Sequence, residues 1–190
     1  MKTVQILGTA PNLAATLPLE DKERWGSNAV GPYVRKWRPN PELNPMLSFT
    51  RWFNMHSRRH MRSTYLDWYQ WYGDQVAPKR IVLQEVQPDT PRSERFPKED
   101  VMAYAGHAYF TFTGSWQMAL AGMEGFERIE MSGFKLQRDR QYDFERPCFF
   151  YWVERLRREG VDVVLPADLE ISAPGDPHRY AGPLYGYETT

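Results

Sequence analysis

A chain of 190 residues and 22.4 kDa is the size of one ordinary domain, 1–190, with no room for a second large one. Lys+Arg and Asp+Glu both count 24, so the formal net charge is zero, which excludes a strongly basic nucleic-acid coat or an acidic tail as the overall design. The one cysteine, Cys148, excludes an internal disulfide framework and a cysteine-built zinc site, while 7 Trp, 11 Tyr and 10 Phe can fill a core or line a ligand cleft.

Thr3 to Leu7 is a β-branched run stopped by Gly8-Thr9-Ala10-Pro11-Asn12, after which Leu13 to Leu17 reads as a helix start. The apolar stretch is too short for a secretory signal, and nothing approaches the ~18 apolar residues of a bilayer span, so a soluble cytoplasmic protein is expected. A second strand ends at Trp25-Gly26-Ser27-Asn28 and a third covers Phe49 to Met55, with the proline-rich stretch around Pro32, Pro39, Pro41 and Pro45 between them.

From Thr64 a capping box, Thr64-x-x-Asp67, and apolar Tyr65, Trp68, Tyr69 and Tyr72 predict a helix ended by Gly73. Arg80 to Val86 reads as a fourth strand, followed by an irregular loop with Pro88, Pro91 and Pro97. Tyr109 to Phe112 leads into Thr113-Gly114-Ser115, and Trp116, Ala119, Leu120 and Met123 then mark a helix closed near Gly125.

Glu127 to Met131 gives a fifth strand. Pro147 is expected to open a helix with apolar face Phe149, Trp152, Val153 and Leu156, flanked by Glu154/Arg158 and Arg155/Glu159 and stopped by Gly160. Val161 to Leu165 is a sixth strand, and Leu184 to Glu188 packs back onto the body. Short apolar strands alternating with amphipathic helices predict an α/β, Rossmann-like three-layer sandwich with a mainly parallel sheet of about six strands. Ligands of such sheets bind beyond the carboxyl ends of the strands, where the strand order reverses.

Chemistry is therefore sought in the loops after the strands. Gly8 to Asn12 offers small residues, an N-capping Asn12 and a helix amino end that favours an anion, though a tight turn has the same composition. It matches neither the dinucleotide nor the P-loop fingerprint. Thr113-Gly114-Ser115 repeats the arrangement, with plain N-capping as the alternative.

His56 and His60 have a helical metal spacing, but the neighbouring arginines repel a cation, and anion recognition by Arg51, His56, Arg58, Arg59 and Arg62 is the better reading beside a solvated basic surface. The charged segment 137–146 is either a lid over the cleft or an ordinary polar loop. Cys148 is a core residue or a slightly acidified thiol, the former preferred. With no Asp-x-Asp pair in the chain, nucleotide-sugar chemistry here would be metal-independent, and neither metal nor cofactor is expected.

At these loops the chain resembles the bacterial CMP-sialic-acid-dependent sialyltransferases and the related motility-accessory-factor-like glycosyltransferases and hydroxymethylpterin diphosphokinases. Their Gly-x-Gly-Pro-Ser loop is matched by Gly8-Thr9-Ala10-Pro11-Asn12, and their asparagine after strand two by Asn28. Their Thr-Ser-Gly with its following helix looks like Thr113-Gly114-Ser115 and Trp116 to Met123, and their Ser-Gly-x-Asp like Ser132-Gly133-Phe134-Lys135, which lacks the aspartate. The resemblance implies nucleotide contacts for Gly8, Thr9, Asn12, Asn28, Thr113, Gly114, Ser115 and Gly133. The family's histidine base ahead of the penultimate helix has no counterpart, since Phe144, Glu145 and Arg146 stand there. Arg51-Trp52-Phe53-x-Met55-His56, Arg146-Pro147-Cys148 and Leu184 to Glu188 are also similar to a family of small tailed-bacteriophage proteins.

Together these features predict a phage-encoded, nucleotide-binding protein of glycosyltransferase-like group transfer, located in the host cytoplasm. Nucleotide phosphates would rest at Gly8 to Asn12 and at Thr113 to Ser115. His56 is the preferred general base and Glu145 the second choice. Arg51 or Arg146 would neutralise the leaving phosphate with Arg59 nearby, and Trp25, Trp52 or Tyr142 would stack on base or sugar. Partners would be a nucleotide or nucleotide-sugar and a DNA, glycan or small-molecule acceptor. The alternative is a non-catalytic binder of a nucleotide or a host protein, and a third reading is a DNA-binding accessory protein built on the 58–62 basic patch.

Overall fold

A computed structural model describes residues 1–8, 22–27, 50–57, 80–88, 90, 92–134, 136, 142–170 and 172–187. Seven strands lie in one sheet: β1 (Thr3–Leu7), β2 (Glu23–Ser27), β3 (Arg51–Asn54), β4 (Arg80–Leu83), β5 (Ser93–Arg95), β6 (Arg128–Ser132) and β7 (Asp162–Val164). Their order is β5-β4-β3-β2-β1-β6-β7, and every neighbouring pair is parallel. Helices α1 (Lys98–Ala105), α2 (Thr113–Met123) and α3 (Tyr142–Arg158) flank it.

The expected α/β architecture with a parallel sheet is the observed one, with a seventh strand added. The β-branched and aromatic strands are buried on both faces, as a covered parallel sheet requires. Val4, Ile6, Trp25, Phe53, Val82 and Ile129 join the helices in one core, whereas Leu7, Trp52 and Ile81 are equally inaccessible to solvent on the opposite side. Aromatic rings dominate the helix side: Phe110 stacks on Trp116 at 3.7 Å between centroids and 2° between planes, with Trp152 5.3 Å from Phe110 on its other side. Trp25 and Trp52, expected to stack on a ligand, are core residues with no accessible surface.

Three element boundaries differ from expectation. The proline-rich stretch after β4 holds β5 and, directly after Pro97, the helix α1. Pro97 occupies the N-cap, where its missing N–H costs nothing, Glu99 and Asp100 suit the first turn, and Gly106 closes the helix in the left-handed conformation at φ 73°. α2 begins at Thr113 with Phe112 as N-cap. α3 begins at Tyr142 and carries Pro147 inside it, so residues 142–146 are helix and the expected lid is restricted to 137–141, outside the described residues. The ion pairs Arg158–Glu154 and Arg155–Glu159 form along α3 at 2.9 Å, as the i,i+4 spacing predicts. The helix predicted from Thr64 also lies outside the described residues.

The strand order places the switch between β1 and β6. β1 is followed in space by β2, β3, β4 and β5 on one side, and by β6 and β7 on the other. α2 runs antiparallel to the strands. Its Gln117 reaches Gly26 near the carboxyl end of β2, while Glu124 just beyond its last turn meets Arg51 at the start of β3. The amino end of α2 therefore stands at the carboxyl edge of the sheet. No described helix is long and apolar enough to cross a membrane.

Candidate functional site

The carboxyl edge brings together the end of β1, the end of β6 and the amino end of α2. The Gly8 N–H donates to the Ser132 carbonyl at 2.8 Å, which closes the seam between the two strands at the switch point. A Cβ on Gly8 would lie 2.4 Å from the Gly133 carbonyl oxygen, so only glycine allows this approach. Gly133 follows in the left-handed region at φ 71°. Phe134 packs over the same point, 3.3 Å from that would-be Cβ and 5.7 Å in ring centroid from Phe149 of α3.

The start of α2 is capped from within. The Ser115 hydroxyl donates to the Phe112 carbonyl at 2.6 Å and sits 3.5 Å from the Phe112 N–H, while the Ser115 N–H also points to that carbonyl at 3.1 Å. Ser115 is buried, and the ring of Phe112 folds back onto Gly114. Thr113 is buried one residue earlier. One turn on, the Gln117 amide donates to the Gly26 carbonyl at 3.0 Å, and its own carbonyl oxygen is buried without a hydrogen-bond partner. Buried acceptors of this kind are uncommon. Sequence reasoning passed over Gln117, a polar residue on an otherwise apolar helix face.

Cys148 and Glu145 lie on the adjacent turns of α3. The Cys148 thiol is buried, 3.5 Å from the Tyr109 carbonyl, and burial pushes its pKa up to about 11 against the opposing hydrogen bonding of Thr111 and Ser115. It is thus a core residue, as preferred from sequence. Glu145 is buried near it. Arg146 spends its guanidinium on the Leu136 carbonyl at 3.1 Å, on the Glu170 carbonyl, and on the Glu170 carboxylate at 3.5 Å. It ties the segment after β6 to the segment after β7.

His56 stands beyond the carboxyl end of β3. That is two strands from β1, about 10 Å at the usual spacing of parallel strands. Its N–H donates to the Asn54 side-chain oxygen at 3.0 Å, and its imidazole Nε2 meets the Tyr185 hydroxyl at 3.1 Å. Tyr185 belongs to the carboxy-terminal segment, which does pack back as expected. Its N–H bonds the Phe110 carbonyl at 3.1 Å, and its carbonyl accepts from the Trp116 indole at 3.2 Å. His56 is thus linked through this segment to the first turns of α2.

Arg51 is not part of this edge. It opens β3 rather than closing it, so its guanidinium lies at the amino end of the sheet, bonded to Glu124 at 2.6 Å and Glu23 at 3.2 Å. These carboxylates raise its pKa against the opposing effect of burial, and its charge is already matched. Its expected role as an anion ligand beside His56 is corrected accordingly. Thr9, Ala10, Pro11, Asn12, Asn28 and Arg59 lie outside the described residues, as does the side chain of Tyr142. Of the expected site, the structure brings Gly8, Gly133, Thr113, Gly114, Ser115 and His56 to one edge.

No protein-family model matches the chain, and no curated protein matches it in sequence. Solved structures do. The sialyltransferase CstII from Campylobacter jejuni, in complex with the substrate analogue cytidine-5'-monophosphate, aligns with a TM-score of 0.53 at 15% identity over 87% of this chain and 79% of its own. The CstII complex with CMP-3FNeuAc gives 0.51 at 14% identity, covering 90% and 89%. A complex of the sialyltransferase CST-II with a trisaccharide acceptor and CMP gives 0.55 at 14%, covering 86% and 80%. At such identities the likeness establishes a shared fold and no more.

Proposed function

We propose that the chain binds a nucleotide in the crevice between β1 and β6 and transfers a group from a nucleotide-activated donor, as a phage-encoded, cytoplasmic, metal-independent glycosyltransferase-like enzyme. The observation that carries this reading is the meeting of Gly8, Gly133 and the amino end of α2 at the switch point of a parallel sheet, where such folds hold ligands. Backbone donors at a helix amino end favour an anion, and Gly8 is followed in sequence by Thr9-Ala10-Pro11-Asn12, the small residues read as an anion cradle. The carboxyl-edge site resembles in position the edge used by α/β folds generally, and the structural neighbours bind CMP.

In the proposed step His56 accepts the proton of an acceptor hydroxyl as that oxygen bonds the donor carbon. The bond from that carbon to the nucleotide phosphate oxygen breaks, and its electron pair leaves on the phosphate. Imidazole is the side chain whose proton exchange suits this step at neutral pH. Glu145 is the second choice, and Arg146 serves by holding the loops after β6 and β7 together.

The test is a thermal-shift panel of CMP, UDP, ADP-ribose and cyclic nucleotides, in which a true ligand at a hundred times Kd adds about 2.7 kcal/mol of stability. Incubation with the matching nucleotide-sugar then releases free nucleotide, and His56→Ala lowers release by about a hundredfold or more while keeping the shift. A shift without release in the unaltered protein identifies a binder instead of an enzyme. No shift with any nucleotide overturns the reading.

A further inference from the structure

The carboxy-terminal segment is built into the site with unusual care. Gly186 adopts φ +82°, and a Cβ there would lie 1.9 Å from the Met55 carbonyl, the residue just before His56. The Gln84 amide bridges the Met55 carbonyl, at 2.8 Å, and the Gly186 carbonyl, stitching β4's end, β3's end and the segment together. On the helix side Tyr187 packs edge-on to Trp116 at 5.8 Å, with the Lys98 ammonium 4.2 Å from its ring. Tyr185 is therefore fixed from both directions: by its own backbone bonds to Phe110 and Trp116, and by Gly186 locked against Met55. Its hydroxyl and ring face His56, 3.1 Å from Nε2 and 5.3 Å between centroids.

From this geometry we infer that Tyr185 is a positioning residue for His56, holding the imidazole in one orientation through its hydroxyl and ring. The inference rests on the proposed role of His56. A base works only when its ring is held at a fixed angle and distance to the reacting group, and a hydrogen bond at one ring nitrogen supplies that restraint. A tyrosine on a mobile tail would do this poorly. Here the tyrosine is bonded to Phe110 and Trp116, and its neighbours Gly186 and Tyr187 are held by Met55, Gln84, Trp116 and Lys98, which makes the hydroxyl a fixed reference point.

The test uses the full chain with Tyr185→Phe, which removes only the hydroxyl, and Gly186→Ala, which forces the segment off Met55. With the matching nucleotide-sugar, Tyr185→Phe lowers kcat for nucleotide release about tenfold, a part of the usual general-base contribution, and leaves KM and the melting temperature nearly unchanged. In a His56→Ala background the same change lowers kcat by less than about twofold, because a residue acting through His56 has nothing left to act on. Imidazole nitrogen shifts read by NMR without ligand give His56 one sharp set in the native chain and displaced or broadened signals in both variants, as the ring leaves its fixed orientation. Equal losses from Tyr185→Phe with and without His56 overturn the inference, as do unchanged His56 nitrogen shifts. The NMR arm needs no turnover, so it decides the inference even if no nucleotide binds and the proposed function falls.

Discussion

His107, on the turn between α1 and the stacked aromatics, is held as a neutral imidazole. The Tyr109 N–H donates to its Nδ1 at 3.0 Å, which leaves the proton on Nε2 to donate to the Tyr151 hydroxyl at 2.6 Å. Burial, with the Arg155 guanidinium and His178 adding to it, pulls its pKa from 6.5 down to about 4. Between those values the unfolded chain takes up a proton that the folded chain refuses. Stability therefore falls as pH drops from 6.5 to about 4 and levels off below, and His107→Gln flattens that stretch of a urea-denaturation series. The Cys148 thiol behaves in the opposite sense. With its pKa pushed up to about 11 and no accessible surface, it resists a maleimide or disulfide probe at pH 8 in the native protein and reacts once urea unfolds the chain.

At the scale of elements the seam between β1 and β6 depends on Gly8. Gly8→Ala sets a methyl against the Gly133 carbonyl and the Phe134 ring, and overpacking of this kind costs about 1–3 kcal/mol, read as a lower urea midpoint together with loss of the nucleotide-induced thermal shift. The glycine itself was legible in the sequence, as the small residue that stops a β-branched strand. Its partner was not, because Gly133 lies 125 positions away and only the strand order brings the two together. α1 was hidden by the prolines around it, since Pro97 reads as a breaker until it is seen at the N-cap, the one place where it does no harm. Pro147 misled in the other direction: taken as a helix start, it is the sixth residue of α3, after five residues read as part of a charged loop or lid. His56 was legible as a candidate, but Tyr185 carries no local signal, and only the left-handed Gly186 beside it marks the segment as built rather than trailing.

Over the whole molecule the two edges of the sheet are chemically distinct. The carboxyl edge gathers the glycine seam, the α2 amino end and His56, whereas the amino edge holds an ion cluster of Arg51 with Glu23 and Glu124, the guanidinium 4.8 Å from the Trp25 ring. α2 spans the distance between them, anchored at one end by Gln117 on β2 and at the other by Glu124. Arg51→Ala leaves two carboxylates facing each other across a partly buried gap and costs about 2–4 kcal/mol in urea denaturation, while nucleotide affinity stays within about twofold if the proposed site is the one at the far edge. A loss of affinity matching the loss of stability would place Arg51 in the ligand site after all. The alternation of strands and helices made the layered, parallel architecture readable; which arginine stood at which edge was not, because a strand's direction in the sheet is a property of the assembled chain.

β1 pairs on one side with β2, where Val4 aligns with Glu23, and on the other with β6, where Thr3 aligns with Arg128. A nascent or refolding chain can thus complete one flank of β1 early and must leave the other unpaired until most of the polypeptide is available. Long-range parallel pairing is slow to form, and an open strand edge invites self-association while it waits. The meeting of Gly8 with Gly133 arrives with the last of the long-distance contacts, and temperature or dilution during renaturation governs how much protein reaches that point before it clumps.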